Sequence, residues 1–423
     1  MKKYFNLYST TFHVKGKDEV ALYNTLNGNV ISLNMKQSEV LDKLIQGNCI
    51  EDLNYEGTNF VYNMVKNKLG FINDNLIKIE KTFFGDNEYF EKIMVDKKKI
   101  EIAQIEITNN CNLNCSICDI NSDLVYRRTG CKKRYSKNEE LTISNWLEII
   151  DKLALLGCKR IEFFGGEPLL EFEKLKALVK AAHKNLIKDI VLYTNGLLID
   201  DEVIRFLNKN NIKCIIQILK LDDNKDILGT TDDFNYLELF KYLESKKVNY
   251  ELLFLITRYN DFFVNEYISI FKKLNISYSI DFIYPKPNNG YYSEKFKNII
   301  INYRKHIVQC NPYNLGILLT KNPCYYNRIA FSIDGNAYPC IMSRKEIYGN
   351  YSSNNNITEL ITEKFDEYKH LNKEKYVNCC SCSYRYACFT CTAIDISSSN
   401  KELKCINCSK AENVWWKNLR LLI

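Results

Sequence analysis

Residues 105–118 read IEITNNCNLNCSIC, an apolar strand pattern that runs directly into three closely spaced cysteines, Cys111, Cys115 and Cys118. Thiolates this close together can hold three irons of a four-iron cluster and leave the fourth iron open. Metal catalysis requires an open coordination position, whereas closed sites are structural. The segment therefore predicts a catalytic iron–sulfur site at the end of a strand; a structural zinc or ferredoxin-like site is the alternative.

Strand and helix patterns alternate along the chain after this segment. Strand patterns lie at 101–107, 159–164, 189–194, 212–219, 249–256 and 277–284, and amphipathic helical stretches lie between them at 142–156, 171–184, 200–210, 234–247 and 261–274. Parallel strands need helical crossovers, so six such units predict an α/β fold with a partial (β/α)6 barrel. Active sites of such folds lie at the carboxyl ends of the strands. Three distinctive segments fall there: Cys111 onward, Gly165-Gly166-Glu167-Pro168, and Thr194-Asn195-Gly196.

Composition narrows the class of protein. Of the 423 residues, 46% are hydrophobic and 26% are charged, which is the balance of a folded chain. The net charge of +7 is spread without a basic stripe, so we expect no nucleic-acid partner. We find neither a signal-peptide pattern nor a membrane-length apolar run, and expect a cytoplasmic protein without a membrane partner. In a reducing compartment, 17 cysteines indicate metal or clusters, and the 4 histidines lie apart from them.

Residues 1–95 are predicted to form a separate small domain, because they contain only one cysteine, Cys49. Two apolar runs, 20–23 and 30–33, flank Asn27-Gly28, which is a hairpin signal. An amphipathic helix that ends at Gly47, a second helix at 60–69 and a closing strand at 71–81 follow. This order predicts a winged-helix-like domain; a generic α/β appendage is the alternative.

A second cysteine set fills residues 291–423, after the barrel segment at 96–290. Ten residues separate Cys324 from Gly335 and four separate Gly335 from Cys340; the later cysteines are Cys379, Cys382, Cys388, Cys391, Cys405 and Cys408. Apolar segments here are too short for a full core, so metal is expected to organise the region. A zinc ribbon from Cys379, Cys382, Cys405 and Cys408 is the alternative, but it leaves the other cysteines without a role. A last helix is expected at 412–422.

The first motif set resembles the radical S-adenosylmethionine (SAM) superfamily. In that family three cysteines spaced like Cys111, Cys115 and Cys118 hold a catalytic [4Fe–4S] cluster whose open iron is chelated by SAM. Gly165, Gly166, Glu167 and Pro168 resemble the GGEP motif, which implies binding of the SAM amino group. Glycines let a ligand approach the backbone, a carboxylate accepts from an ammonium, and proline fits the first helical position.

Residues 192–196 resemble the segment near the SAM ribose, which implicates Thr194 and Asn195. Gln217 stands on the fourth strand, where the family often has a serine.

The second set resembles the seven-cysteine SPASM pattern, although two residues rather than three precede Cys391. The resemblance implies two auxiliary [4Fe–4S] clusters. One takes Cys324, Cys340 and Cys391, with Cys310 or a substrate atom as fourth ligand. The other takes Cys379, Cys382, Cys388 and either Cys408 or Cys405, of which Cys408 fits the family spacing better.

The amino-terminal domain resembles the PqqD-like leader-recognition domains of maturases that act on ribosomally made peptides. Such domains bind a leader by adding an extended segment to a sheet edge. The resemblance implies a sactisynthase-like enzyme that forms a thioether or carbon–carbon crosslink on a precursor peptide, with a flavodoxin or ferredoxin-type electron donor. Two rivals remain open: an anaerobic sulfatase-maturating enzyme that makes formylglycine, and a zinc-binding interaction protein whose amino-terminal domain binds DNA. For DNA, the second helix offers only Lys66 and Lys68.

Overall fold

The computed structural model describes residues 2–17, 19–77, 99–115, 118, 139–257, 260–282, 310–344, 346–354, 357–360, 363–388, 391–397 and 403–405. The chain divides into two compact units. The first comprises Met1–Asp96, Lys305–Tyr326 and Lys369–Ile423, and the second comprises Lys97–Arg304 and Asn327–Tyr368. Among the described residues, none of the helices combines the length and apolar character that a membrane span needs.

The amino-terminal part of the first unit contains two antiparallel sheets and two helices. Strand β1 (Tyr4–Leu7) pairs with β5 (Gly70–Asn73), and β2 (Thr11–Lys15), β3 (Val20–Asn24) and β4 (Val30–Leu33) form a three-stranded meander. Helix α1 (Met35–Gln46) begins at a capping box of Asn34 and Gln37 and ends at Gly47, whose φ is 107°. Helix α2 (Tyr55–Lys66) begins at Asn54. The predicted hairpin and first helix are present, whereas the second helix starts five residues before its predicted position.

The second unit is built on one mixed sheet. Six parallel strands run in the order β11-β10-β9-β8-β7-β6, and β12 continues them parallel to β6, with β13 and β14 antiparallel beyond it. Their bounds are β6 (Ile102–Glu106), β7 (Arg160–Phe164), β8 (Asp189–Thr194), β9 (Lys213–Ile218), β10 (Tyr250–Ile256), β11 (Tyr278–Phe282), β12 (Arg328–Phe331), β13 (Asn336–Tyr338) and β14 (Gly349–Asn350). The predicted α/β class with a partial barrel is confirmed.

Helices connect these parallel strands as the sequence predicts. They are α3 (Ile143–Leu155), α4 (Phe172–Lys184), α5 (Asp201–Lys209), α6 (Lys225–Leu228), α7 (Tyr236–Ser245) and α8 (Val264–Lys273). Each of the long helices turns a buried apolar stripe toward the sheet, as Trp146, Ile149, Ile150 and Leu153 do in α3. Side-chain caps fix where several of them begin, including Thr142 before α3 and Asp200 before α5.

The rest of the chain contributes short helices. Helices α9 (Pro312–Thr320) and α13 (Thr392–Ser397) belong to the first unit, and α10 (Tyr351–Asn354) and α11 (Ile357–Leu360) belong to the second, while α12 (Glu363–Lys369) ends at the boundary. The predicted helix at 412–422 lies outside the described residues. The division into domains at 1–95, 96–290 and 291–423 stays a prediction. The two compact units have other boundaries, and each combines segments that are distant in sequence.

Candidate active site and cysteine clusters

The three-cysteine loop begins five residues after β6. Cys111, Cys115 and Cys118 are half-buried, and the Cys118 amide donates to the Cys115 carbonyl over 2.8 Å, so the last two form a turn. The Asn114 amide donates to Leu228 O over 3.1 Å, and a Cβ on Gly229 would lie 2.3 Å from Asn114 O. The end of α6 therefore holds the middle of the loop by a backbone contact that only glycine permits.

Gly165 and Gly166 follow β7 and lie against the segment that leads into Cys111. The Gly166 amide donates to Thr108 O over 2.8 Å, and the Glu167 amide donates to Asn110 O over 2.7 Å. A Cβ on Gly165 would lie 2.6 Å from Thr108 O, and one on Gly166 would lie 2.1 Å from Asn110 O. Close backbone packing alone requires glycine at both positions. The contact of Gly165 and Gly166 with SAM stays a prediction.

Glu167 is completely buried and uses both carboxylate oxygens within the protein. Oε1 accepts from the Thr194 hydroxyl over 2.7 Å and from the Leu169 amide over 3.0 Å, and Oε2 accepts from the Asn195 amide over 2.8 Å. Burial raises the pKa of Glu167 to about 7, and the three hydrogen bonds partly oppose that rise. Pro168 follows at the start of a 3-10 turn, Pro168–Glu171. This carboxyl group joins the turn after β7 to the end of β8.

Asn195 connects the end of β8 to the cysteine loop. Its side-chain amide donates to Asn112 Oδ1 over 2.8 Å and lies 4.0 Å from Cys111 Sγ. Its carbonyl accepts from the Tyr236 hydroxyl over 2.9 Å. Asn112 and Tyr236 were not identified from sequence, because their partner lies on a distant element. Gln217 is buried on β9, at the register position opposite Leu253.

Comparison with known proteins identifies the superfamily to which this segment belongs. The model for the Radical SAM superfamily matches residues 105–257, which includes the cysteine loop and both strand-end motifs. This segment is a radical SAM domain. Homologues of this superfamily are enzymes that catalyse radical reactions, and the chain is an enzyme of that kind. The superfamily implies SAM and a [4Fe–4S] cluster as cofactors.

Two curated relatives are named for different reactions. A GTP 3',8-cyclase from Clostridium botulinum is 28% identical over 326 residues, covering 67% of this chain and 96% of that protein. The radical SAM cyclopropyl synthase TigE from Paramaledivibacter caminithermalis is 24% identical over 331 residues, covering 74% of this chain and 62% of that protein.

Two solved structures share the fold. Streptococcus suis SuiB bound to SAM has a TM-score of 0.50 at 16% identity and covers 95% of this chain and 99% of that one. The anSMEcpe structure with bound AdoMet has a TM-score of 0.52 at 20% identity and covers 72% of this chain and 92% of that one. Both proteins have also been solved with a peptide bound, SuiB with precursor peptide SuiA and anSMEcpe with the Kp18Cys peptide.

Cys379 and Cys405 lie together in the first unit. Both are buried and pack with Tyr376. Asn378 accepts from the Cys405 amide over 2.9 Å and donates to its carbonyl over 2.8 Å, while the Val377 amide donates to Leu403 O over 3.0 Å. This short strand-like pairing fixes Cys405 beside Cys379. Cys408, which the family spacing favours, lies outside the described residues.

Cys382 and Cys388 are half-buried and pack against a hydrophobic cluster that contains Cys310. The Cys382 amide donates to Cys379 O over 2.9 Å, so the first two cysteines of this set share one turn. The family resemblance offered Cys310 as a fourth ligand to the other auxiliary set. In the structure Cys310 belongs to the hydrophobic cluster against which Cys382 and Cys388 pack, and its role as a ligand stays a prediction. Cys380 is exposed.

Asn322 links two segments of the other predicted set. Its Oδ1 accepts from the Cys324 amide over 2.9 Å, and its Nδ2 donates to the Thr392 hydroxyl over 2.9 Å, next to Cys391. Cys340 belongs to the second unit, where its sulfur accepts from the Met342 amide over 3.5 Å. In the described part of the chain, no group of three or more His, Cys, Asp or Glu side chains converges at metal-binding distance, so every ligand set stays a prediction.

Proposed function

We propose that this protein is a SAM-dependent radical maturase that forms a thioether or carbon–carbon crosslink on a ribosomally made precursor peptide. The observation that carries the proposal is the three-stranded sheet with α1 and α2, which precedes the radical SAM domain and shares a compact unit with the cysteine-rich segment. Sheets of this kind bind extended peptides by adding a strand at an edge. SuiB, which shares this fold, has been solved with its precursor peptide SuiA.

Three cysteines are proposed to hold the catalytic cluster: Cys111, Cys115 and Cys118. The donor set suits it, because three half-buried thiols close together in sequence provide three ligands and leave a fourth iron position for SAM. When bound, the cluster and SAM supply a 5′-deoxyadenosyl radical that removes a hydrogen atom from the substrate. This chain's own contribution is to hold the loop, through Gly229 from α6, Gly166 after β7, and Asn195 after β8.

Auxiliary clusters are proposed at the two later cysteine sets. For one, Cys379, Cys382 and Cys388 share a short loop, and Cys405 lies beside Cys379. For the other, Asn322 brings the segments of Cys324 and Cys391 together, and Cys340 is assigned by resemblance alone. We propose that such clusters accept the electron left after bond formation, that a flavodoxin or ferredoxin-type protein reduces the catalytic cluster, and that the enzyme works in the cytoplasm, where thiols stay reduced.

Anaerobic co-expression with the short open reading frame nearest the gene, followed by peptide mass spectrometry, tests the proposal. We expect a peptide lighter by two hydrogens, with fragmentation that locates the new bond. A matched co-expression with Cys115→Ala should leave the peptide mass unchanged. Unchanged peptide from enzyme that cleaves SAM would contradict the proposal.

A nucleotide substrate is the second candidate, because a GTP 3',8-cyclase is among the relatives. That alignment covers 67% of this chain, so about a third of it has no counterpart there. Incubating the reduced enzyme with SAM and GTP separates the candidates, since a cyclase would consume GTP and release 5′-deoxyadenosine. We expect GTP to remain intact.

A further inference from the structure

The sheet of β2, β3 and β4 is buried on both faces. On one face, Val20, Leu22, Ile31 and Leu33 pack with the apolar residues of α1 and α2. The other face packs against α9 and against residues that follow Cys382. The sheet contributes Phe12, Val14, Ala21, Tyr23 and Val30. Their partners are Leu315, Leu318 and Leu319 of α9 and, after Cys382, Tyr384, Tyr386 and Ala387. Because Cys382 and Cys388 also pack against this cluster, the sheet and the cysteine loop share one core.

Hydrogen bonds from the sheet reach both neighbours of Cys382. The Ser383 carbonyl accepts from the Tyr23 hydroxyl over 2.8 Å, and the Ser381 carbonyl accepts from the Lys17 amide over 3.0 Å. Tyr23 is completely buried, stacks on Phe12 at 4.9 Å and meets Tyr386 edge-on at 6.3 Å. Because the Tyr23 hydroxyl is buried, its hydrogen bond to the Ser383 carbonyl is shielded from competing water.

Gly16 marks the closest approach of the two segments. A Cβ at this position would lie 2.7 Å from Ser383 N and 3.1 Å from Ser381 O. Both are backbone atoms, so a side chain could be accepted only if the cysteine loop moved away from the sheet. The glycine therefore allows the same backbone contact that the two hydrogen bonds stabilise.

We propose that the amino-terminal sheet is a structural part of an auxiliary cluster site, in which Tyr23 and the Lys17 amide hold both flanks of the ligand Cys382. The inference rests on the proposed function, because it takes Cys382 as a cluster ligand. Tyr23 is a positioning residue, and groups that orient ligands affect cluster binding and potential strongly. The domain proposed to bind the peptide is thereby joined directly to a redox centre.

Anaerobically reconstituted full-length enzyme tests this inference. The measurements are iron per chain, the electron paramagnetic resonance (EPR) spectrum of reduced enzyme with and without SAM, and the rate of iron release to a chelator. SAM alters only the spectrum of the cluster it binds, so auxiliary signals can be followed separately. Tyr23→Phe removes one hydroxyl, Gly16→Ala adds one methyl, and Leu22→Val perturbs the neighbouring residue on the opposite face of the sheet as the matched control.

We expect Gly16→Ala to lose about four irons per chain and one auxiliary signal, with the SAM-responsive signal intact. Tyr23→Phe should release auxiliary iron about fivefold faster, the rate equivalent of one buried hydrogen bond, and should shift the auxiliary midpoint potential. Leu22→Val should retain all clusters. If wild-type enzyme holds about twelve irons and both Tyr23→Phe and Gly16→Ala match it in iron content, EPR signals and iron release, this inference is wrong while the proposed auxiliary clusters stand. Wild-type enzyme with only about four irons would overturn the proposed auxiliary clusters as well.

Discussion

Gly166 lies where the turn after β7 passes closest to the segment that leads into Cys111. A methyl group there would lie 2.1 Å from Asn110 O, a backbone atom that the Glu167 amide also holds. We expect Gly166→Ala to cost about 2 kcal/mol or more and to displace the cysteine loop. Iron content and 5′-deoxyadenosine production should both fall. Gly57→Ala is the control, since its nearest contact would be the Leu53 side chain at 3.2 Å; equal iron in both variants would contradict the explanation.

Glu167 makes stability depend on pH in a definite direction. Its pKa is raised by burial to about 7 from an ordinary value of 4.5, so the folded protein binds more protons than the unfolded chain between those values. The stabilisation is complete below about pH 4.5 and is lost as the pH rises to about 7, a change of about 3 kcal/mol in the free energy of unfolding.

Glu167→Gln removes this titration while keeping the side-chain shape. The difference in unfolding free energy between wild type and variant should therefore change across this pH range, as measured by denaturant unfolding without SAM. The exposed Leu155→Gln, which neither adds nor removes a titratable group, serves as control and should show a constant difference. A constant difference for Glu167→Gln as well would show that Glu167 has an ordinary pKa.

Individual elements were predicted where the signal is local. Asn27-Gly28 identified the β3–β4 hairpin, Gly47 identified the end of α1, and each predicted barrel strand lies within two residues of its observed bounds. Strand β1 was missed, because Tyr4–Leu7 is short and its partner β5 lies more than sixty residues away. The start of α2 was missed because its first turn is polar and only Asn54 marks it.

A buried ion pair ties the turn after Cys340 to β6. Arg344 donates to Glu106 over 2.9 Å, where the Glu106 side chain is 1% exposed, and also to Ile341 O over 2.9 Å. Arg344→Met would remove the guanidinium group that pairs with the buried Glu106 carboxylate, which should cost about 3–5 kcal/mol. The double variant Glu106→Gln with Arg344→Met should regain most of that loss. Denaturant unfolding of the four proteins gives the coupling energy; purely additive effects would exclude the pairing.

The fourth ligand of the auxiliary cluster proposed at Cys379, Cys382 and Cys388 can be identified by substitution. Asn378 holds Cys405 by both backbone groups and places it beside Cys379, whereas sequence spacing alone favoured Cys408. We expect Cys405→Ser to lose about four irons per chain and Cys408→Ser to retain them. Iron and sulfide analysis with EPR distinguishes the two; the opposite pattern would restore the assignment from spacing.

The sequence did not predict which distant segments of the chain pack together. The sequence divides the chain at composition changes near 95 and 290, yet the first unit joins the amino-terminal sheet to residues that lie about 360 positions away, as Tyr23 and Ser383 show. Periodicity and motif spacing describe neighbours along the chain and carry no information on such pairs. The GGEP-like motif is contiguous and was recognised. The hydrogen bonds of Glu167 with Thr194 and Asn195 join residues that are distant in sequence, and they were not predicted.

The two cysteine sets are proposed to have separate roles, so their variants should fail in different ways. Cys115→Ala removes a proposed ligand of the catalytic cluster, so SAM cleavage should stop altogether. Cys382→Ala leaves that loop untouched, so 5′-deoxyadenosine should still form while the crosslinked peptide does not. The measurement is both products from one anaerobic reaction, with Cys380→Ala as the control because that cysteine is exposed. A normal yield of crosslinked peptide from Cys382→Ala would show that the reaction does not need the auxiliary cluster. The contacts of the amino-terminal sheet with the Cys382 loop would then have no role in catalysis.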